Sequence, residues 1–204
     1  MEIIRRGAEA EIRLGSHMGR KAIFKSRVIK DYRHPQLDSD LRNSRTRNEA
    51  RLLQDARRLG IPTPIIYDID LQEAEIVMQW IEGERVKDAL SSAEGEDVVE
   101  ICREIGRMTA LLHRGRMVHG DLTTSNMILS QGRIWLIDFS LGGRAAGLEE
   151  MGVDLHLLME AFTSAHSDIL DHFQEVLDSY KEHFEGAEGV LAKVREIEGR
   201  GRYT

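Results

Sequence analysis

The sequence predicts an α+β chain of two lobes: a small antiparallel β lobe with one long helix, then a reduced, mainly helical lobe. Three observations carry that expectation. Short β-rich runs broken by glycines fill residues 1–30, a long helical stretch stops at Gly60, and apolar residues at helical spacing dominate much of the chain after Glu100. At 204 residues the chain can bury one good core, or two small lobes sharing a cleft. The expected division is 1–78 for the first lobe, 79–83 for a hinge, 84–198 for the second lobe and 199–204 for a basic tail.

The elements follow in order. Ile3-Ile4, Ile12, Leu14, Ala22-Ile23-Phe24 and Val28-Ile29 are separated by Gly7, Gly15 and Gly19, the pattern of two or three antiparallel strands. Gly15-Ser16-His17-Met18 reads as native turn sequence. Residues 31–40 read as a loop stiffened by Pro35, in which Asp38, Ser39 or Asp40 caps a helix from about Leu41 to Leu59. Gly60 ends that helix, and Pro62 lies beyond. Ile65-Ile66-Tyr67 and Glu75-Ile76-Val77-Met78 read as strands joined by an acidic turn, and Gln79-Trp80-Ile81-Glu82-Gly83 as the hinge. Ile101, Ile105, Met108, Leu111 and Leu112 mark a buried helix over Glu100–Leu112, and the last fifty residues read as two or three helices.

Bulk properties narrow the class. No apolar run approaches the ~18 residues a bilayer demands, and the start lacks a signal-peptide apolar segment, so the chain is expected to be soluble and cytoplasmic. The single cysteine, Cys102, cannot form an internal disulfide and reads as a packing residue. The eight histidines show no metal-ligand spacing. A net charge of -7 hides an asymmetry, because residues 20–58 carry twelve Lys or Arg against five acids. That is either a basic face for an acidic partner such as nucleic acid, or a solvated helix surface.

The chemistry centres on His119–Asn126, HGDLTTSN, a polar turn between the apolar runs Met117-Val118 and Met127-Ile128-Leu129. It sets Asp121 five residues before Asn126, and a second acid, Asp138, closes the run Ile134-Trp135-Leu136-Ile137. Asp and Asn in turns often serve only local backbone bonds. Here several independent spacings coincide with the way protein kinases supply a catalytic carboxylate and two magnesium ligands. Upstream, Lys25 closes Ala22-Ile23-Phe24, and Glu49 falls on the apolar face of the long helix with Leu52, Leu53 and Ala56. An inward carboxylate needs a partner, and Lys25 is the natural one. The turn Gly7-Ala8-Glu9-Ala10 stands where a glycine-rich loop would cover phosphates, though it holds one glycine.

With these residues in place the chain resembles the small atypical kinases related to the RIO family, and looks more closely like the kinase subunit of the KEOPS (EKC) complex. The likeness covers essentially the whole chain: GAEA, KSRVIKDYRHPQLD, RTRNEARLL, HGDLTTSNMIL, LIDFS, GVDL and the closing RGR. It implies a protein-kinase-like fold lacking a full activation segment, bound ATP with Mg2+, and autophosphorylation or ATP hydrolysis. By position, Lys25 would hold the phosphates, Glu49 would orient it, Asp121 would be the base or water positioner, and Asn126 and Asp138 would hold magnesium. The turn from Gly7 to Ala10 would cover the phosphates, and Met78, Gln79 and Ile81 would line the adenine site. The implied partners are a threonylcarbamoyl-transferase subunit, a small regulatory subunit and tRNA, the last through residues 20–58 or through Arg200 and Arg202.

Four departures from general protein kinases bear on function. Gly120 replaces an arginine, Thr123 a lysine and Ser140 a glycine, and only sixteen residues separate Asp138 from Asp154, leaving little room for a peptide platform. These favour an ATPase or switch over a broad signalling kinase. An aminoglycoside-type phosphotransferase and a pseudokinase scaffold are the competing readings. Thr123, Phe139-Ser140 and the short C-terminal part argue against the first; the complete set of nucleotide-handling residues argues against the second.

Overall fold

The computed structural model describes residues 1–201. Arg202 of the expected basic tail therefore lies outside the described residues. The chain divides into two compact units, residues 1–55 with 64–82, and residues 56–63 with everything from Gly83 on.

The first unit is built on a five-stranded sheet in the order β1-β2-β3-β5-β4, every neighbouring pair antiparallel. β1 is Glu2–Arg6, β2 Ala10–His17, β3 Arg20–Arg27, β4 Ile66–Asp70 and β5 Glu75–Gln79. The turn between β2 and β3 is Met18-Gly19 alone, with φ of 48° and 78°, and His17 pairs with Arg20 across it. Positive φ at both central residues matches the twist of the flanking strands. At the acidic turn, Asp70 Oδ1 accepts from the backbone of Gln72 and Glu73 at 2.8 and 3.1 Å. Ala22, Phe24 and Val77, joined by Tyr67, pack into one apolar cluster.

The long helix α1 runs Pro35–Arg58, longer than the sequence predicts. Pro35 opens it instead of stiffening a loop, since an N-terminal turn needs no proline N–H. Asp38 consequently sits inside the first turn, buried, and receives Arg42 at 2.7 Å and Arg33 at 3.5 Å. The Arg42 bond and charge, with Arg33 and the Lys30 backbone, outweigh burial and hold the Asp38 carboxyl below its ordinary range. Gly60, at φ 86°, ends the helix as expected.

The second unit comprises β6 (Glu84–Arg85), α2 (Val86–Ser92), α3 (Glu96–Arg114), β7 (Met117–Val118), β8 (Met127–Ser130), β9 (Arg133–Leu136), β10 (Gly143–Arg144), α4 (Leu148–Ala165), α5 (Phe173–His183) and α6 (Ala187–Gly201). β6, β8 and β9 form one small sheet, and β7 and β10 pair as another. α3 packs on α5 with Gly106 at the contact, where an added Cβ would lie 2.2 Å from the Val176 carbonyl. α6 continues through Gly199 and Arg200, and Arg200 Nη1 reaches Glu149 Oε1 at 2.8 Å. No described helix is long and apolar enough to cross a membrane.

Candidate active site

The sequence-predicted residues fall into two clusters, one in each unit. In the first unit β3 places Lys25 and Arg27 on the same side, because side chains alternate along a strand. Both meet Glu49 of α1: Lys25 Nζ lies 2.5 Å from Oε1, and Arg27 Nη2 lies 2.7 Å from Oε2. All three side chains are nearly or fully buried, Glu49 at 1% exposure. Two cations on the two oxygens of one carboxylate satisfy the burial of that charge. The Lys25–Glu49 pair is the one the sequence predicts; Arg27 is an addition.

The turn at Gly7–Ala10 is tied down more than its sequence suggests. Gly7 N donates to Ala10 O at 2.9 Å, Val28 N to Glu9 O at 3.1 Å, and Lys30 Nζ to Ala8 O at 2.5 Å. The Glu9 carboxylate takes Arg45 Nη1 at 2.9 Å. Ala10 is already part of β2, opposite Arg27. At the expected hinge, Met78 and Ile81 are buried. The Gln79 N–H donates to Ile65 O at 2.8 Å, and its side-chain oxygen accepts from Ile65 N at 3.3 Å, so that amide hydrogen is committed within the sheet.

In the second unit the loop after β7 carries Asp121, exposed, into a short 3-10 turn over Thr124–Asn126. Asn126 Nδ2 donates to both the Asp121 backbone oxygen, at 2.9 Å, and Asp121 Oδ2, at 2.8 Å. The amide nitrogen is thereby committed to the acid, leaving the amide oxygen as the acceptor face. Asp138 is brought beside this loop because Ile137 N donates to Asn126 O at 3.0 Å. Asp138 itself has φ 64°, and its Oδ1 accepts from Ser140 Oγ at 2.5 Å and Ser140 N at 3.3 Å.

Gly120 has a steric reason to be glycine. Its φ is 78°, and an added Cβ would stand 2.1 Å from the Leu141 carbonyl oxygen. Beneath it, Asp154 of α4 accepts from His119 N at 2.6 Å and from Gly120 N at 2.7 Å.

A RIO-domain family profile matches residues 17–145. The KEOPS complex subunit Bud32 of Pyrococcus abyssi is 43% identical over 213 residues, an alignment covering 100% of this chain and 96% of that protein. The chain belongs to the Bud32 family of RIO-domain proteins. A probable serine/threonine-protein kinase BUD32 homolog of Archaeoglobus fulgidus is 39% identical over 97% of this chain and 94% of its own length. The chain also aligns, at 40% identity, with 37% of the length of a longer protein of Methanothermobacter thermautotrophicus, a probable bifunctional tRNA threonylcarbamoyladenosine biosynthesis protein. The α+β fold, with its antiparallel sheet and mainly helical second unit, is that of a kinase-like RIO protein.

For a Bud32-family chain the donor set is informative. Among the described residues no group of three or more His, Cys, Asp or Glu could hold a metal ion by itself. Asn126 and Asp138 offer hard oxygens only, which suits a cation that takes the rest of its shell from phosphate and water. A further tether on the loop is one that sequence reasoning missed. Thr124 Oγ1 lies 3.0 Å from Nε2 of His166, which burial, and secondarily Lys87, push below the ordinary histidine range against the opposing pull of Asp168. Neutral His166 can accept from the threonine hydroxyl. Cys102 is buried and its thiol pushed up to about 12, chiefly by burial, which fits packing and excludes a nucleophile.

Proposed function

We propose that this chain is an ATP-dependent atypical serine/threonine kinase or ATPase that serves a KEOPS assembly in threonylcarbamoyladenosine modification of tRNA. The observation that carries the reading is the clamp of Asn126 on Asp121, which orients a carboxylate at the head of a loop whose other end offers an amide oxygen. Phosphoryl transfer asks for positioning and neutralisation of charge more than for a strong nucleophile. On this reading Asp121 accepts the acceptor proton or positions water. Asn126 and Asp138 would hold Mg2+, and the bound ion would supply neutralisation of the developing phosphate charge. Lys25 would hold the phosphates, oriented by Glu49; the Gly7–Ala10 turn would cover them, and Met78, Gln79 and Ile81 would line the adenine site. Only β10 and the first turns of α4 occupy the interval from Asp138 to Asp154, which favours self-phosphorylation or hydrolysis over phosphorylation of peptides.

The names of the relatives support the wider setting. Partners on this reading are the threonylcarbamoyl-transferase subunit, a small regulatory subunit and tRNA, in the cytoplasm. The test is ATP turnover and self-labelling of the purified chain with Mg2+. Asp121→Asn, or chelation of the metal, is expected to abolish both. Turnover that persists unchanged in the variant would sink the proposal.

A further inference from the structure

We infer that Tyr180 and His113 are positioning residues for the Asp121 loop, acting through Asp154. Neither side chain belongs to the loop, and neither has a role in the reading above. His113, near the end of α3, is fully buried, with Nδ1 2.8 Å from the Tyr180 hydroxyl and Nε2 3.5 Å from Asp154 Oδ2. Tyr180, on α5, is likewise fully buried, and burial, with Asp154 adding to it, holds its phenol protonated above the ordinary range. On this inference the phenol donates to Nδ1, which sets the imidazole as the tautomer with its proton on Nε2. That proton lies on the side of Asp154, with Nε2 3.5 Å from Oδ2: an electrostatic contact and no hydrogen bond.

Asp154 in turn holds two backbone N–H groups, those of His119 and Gly120, through its two oxygens. The line from phenol through imidazole to carboxylate thus ends on the backbone N–H groups of the two residues before Asp121. A buried carboxylate with two backbone donors still has accepting capacity, and the imidazole N–H supplies direction at its far side. Removing the Tyr180 hydroxyl releases the tautomer, so the Nε2 proton is no longer enforced and Asp154 loses the positive dipole that faces it at 3.5 Å. Gly120 cannot absorb the slack, because the Leu141 carbonyl closes the space around it. A hydroxyl on α5 therefore governs how firmly the loop holds Asp121. Groups that orient a functional ligand from one step away commonly change activity by about 10–100-fold when lost.

This inference rests on the reading of Asp121 for its catalytic arm alone. The experiment compares the intact chain with Tyr180→Phe and, as a control, Val176→Ala, a fully buried residue on α5 outside this line of contacts. Backbone amide exchange at His119 and Gly120 is measured together with kcat and KM for ATP. Tyr180→Phe is expected to speed exchange at both amides about tenfold, and to lower kcat about tenfold with KM within about twofold. Wild-type exchange rates in Tyr180→Phe would overturn the inference. So would equal acceleration in Val176→Ala, which would mean general loosening, or accelerated exchange with kcat unmoved. A wild-type chain without turnover would refute the function proposed above, and the two amides alone would then decide the positioning.

Discussion

Glu49 accepts from two buried cations, and that sharing determines which charge the fold can lose. Glu49→Ala removes the buried carboxylate that Lys25 and Arg27 share and is expected to cost about 3–5 kcal/mol. Lys25→Met leaves Glu49 paired with Arg27, so its loss in urea unfolding should be clearly smaller, while ATP turnover falls at least about a hundredfold. An equal or larger stability loss for Lys25→Met would contradict this account. The Lys25–Glu49 pair was legible in the sequence because helical phase put a carboxylate on an apolar face, where it requires a cation. Arg27 was equally accessible in principle: it lies two residues beyond Lys25 on the same strand, and the alternation of a strand turns both toward α1. The Asp154 anchor and the His166–Thr124 tether were not legible, because each joins positions more than thirty residues apart through contacts that no local period encodes.

At the scale of elements, the helices and strands with strong periodicity were legible and the short ones were not. α2, of seven residues, and the two-residue strands β6 and β10 are too brief to show a period, and tertiary packing alone makes them. The start of α1 was misplaced because proline at a first helical turn and proline in a loop look alike until the Asp38–Arg42 pair is seen. Glycines within helices have opposite values in α3 and α6. Gly106→Ala drives a methyl into the Val176 carbonyl and the Ser179–Tyr180 turn of α5, an overpacking expected to cost about 1–3 kcal/mol. Gly199→Ala meets nothing within 4 Å and should instead add about 0.5–1 kcal/mol through helix propensity. Thermal unfolding of the two single variants would show shifts of opposite sign; a matching sign would mean that the α3–α5 contact yields more readily than its backbone spacing indicates.

Across the whole molecule, the basic stretch from Arg20 to Arg58 is less of a free surface than its charge count suggests. Arg27, Arg33, Arg42 and Arg45 pair with acids within the first unit, and Lys21 lies over the Trp80 ring. Arg20, Arg47, Arg51, Arg57 and Arg58 are exposed, and the tRNA proposal rests on such cations in this region, beside the chain's end. Deleting residues 199–204 is expected to weaken tRNA-stimulated ATP turnover more than basal turnover; equal loss of both would mean that this segment supports the fold and not the RNA. Gly120 adds a consequence of another kind. An arginine at this position, the residue by which many kinases respond to a phosphorylated loop, cannot be introduced by one substitution while the Leu141 carbonyl oxygen stands 2.1 Å from where its first side-chain carbon would go. The segment past Asp138 would have to be remodelled beforehand, so a switch that works through an arginine at this position is closed to the present backbone.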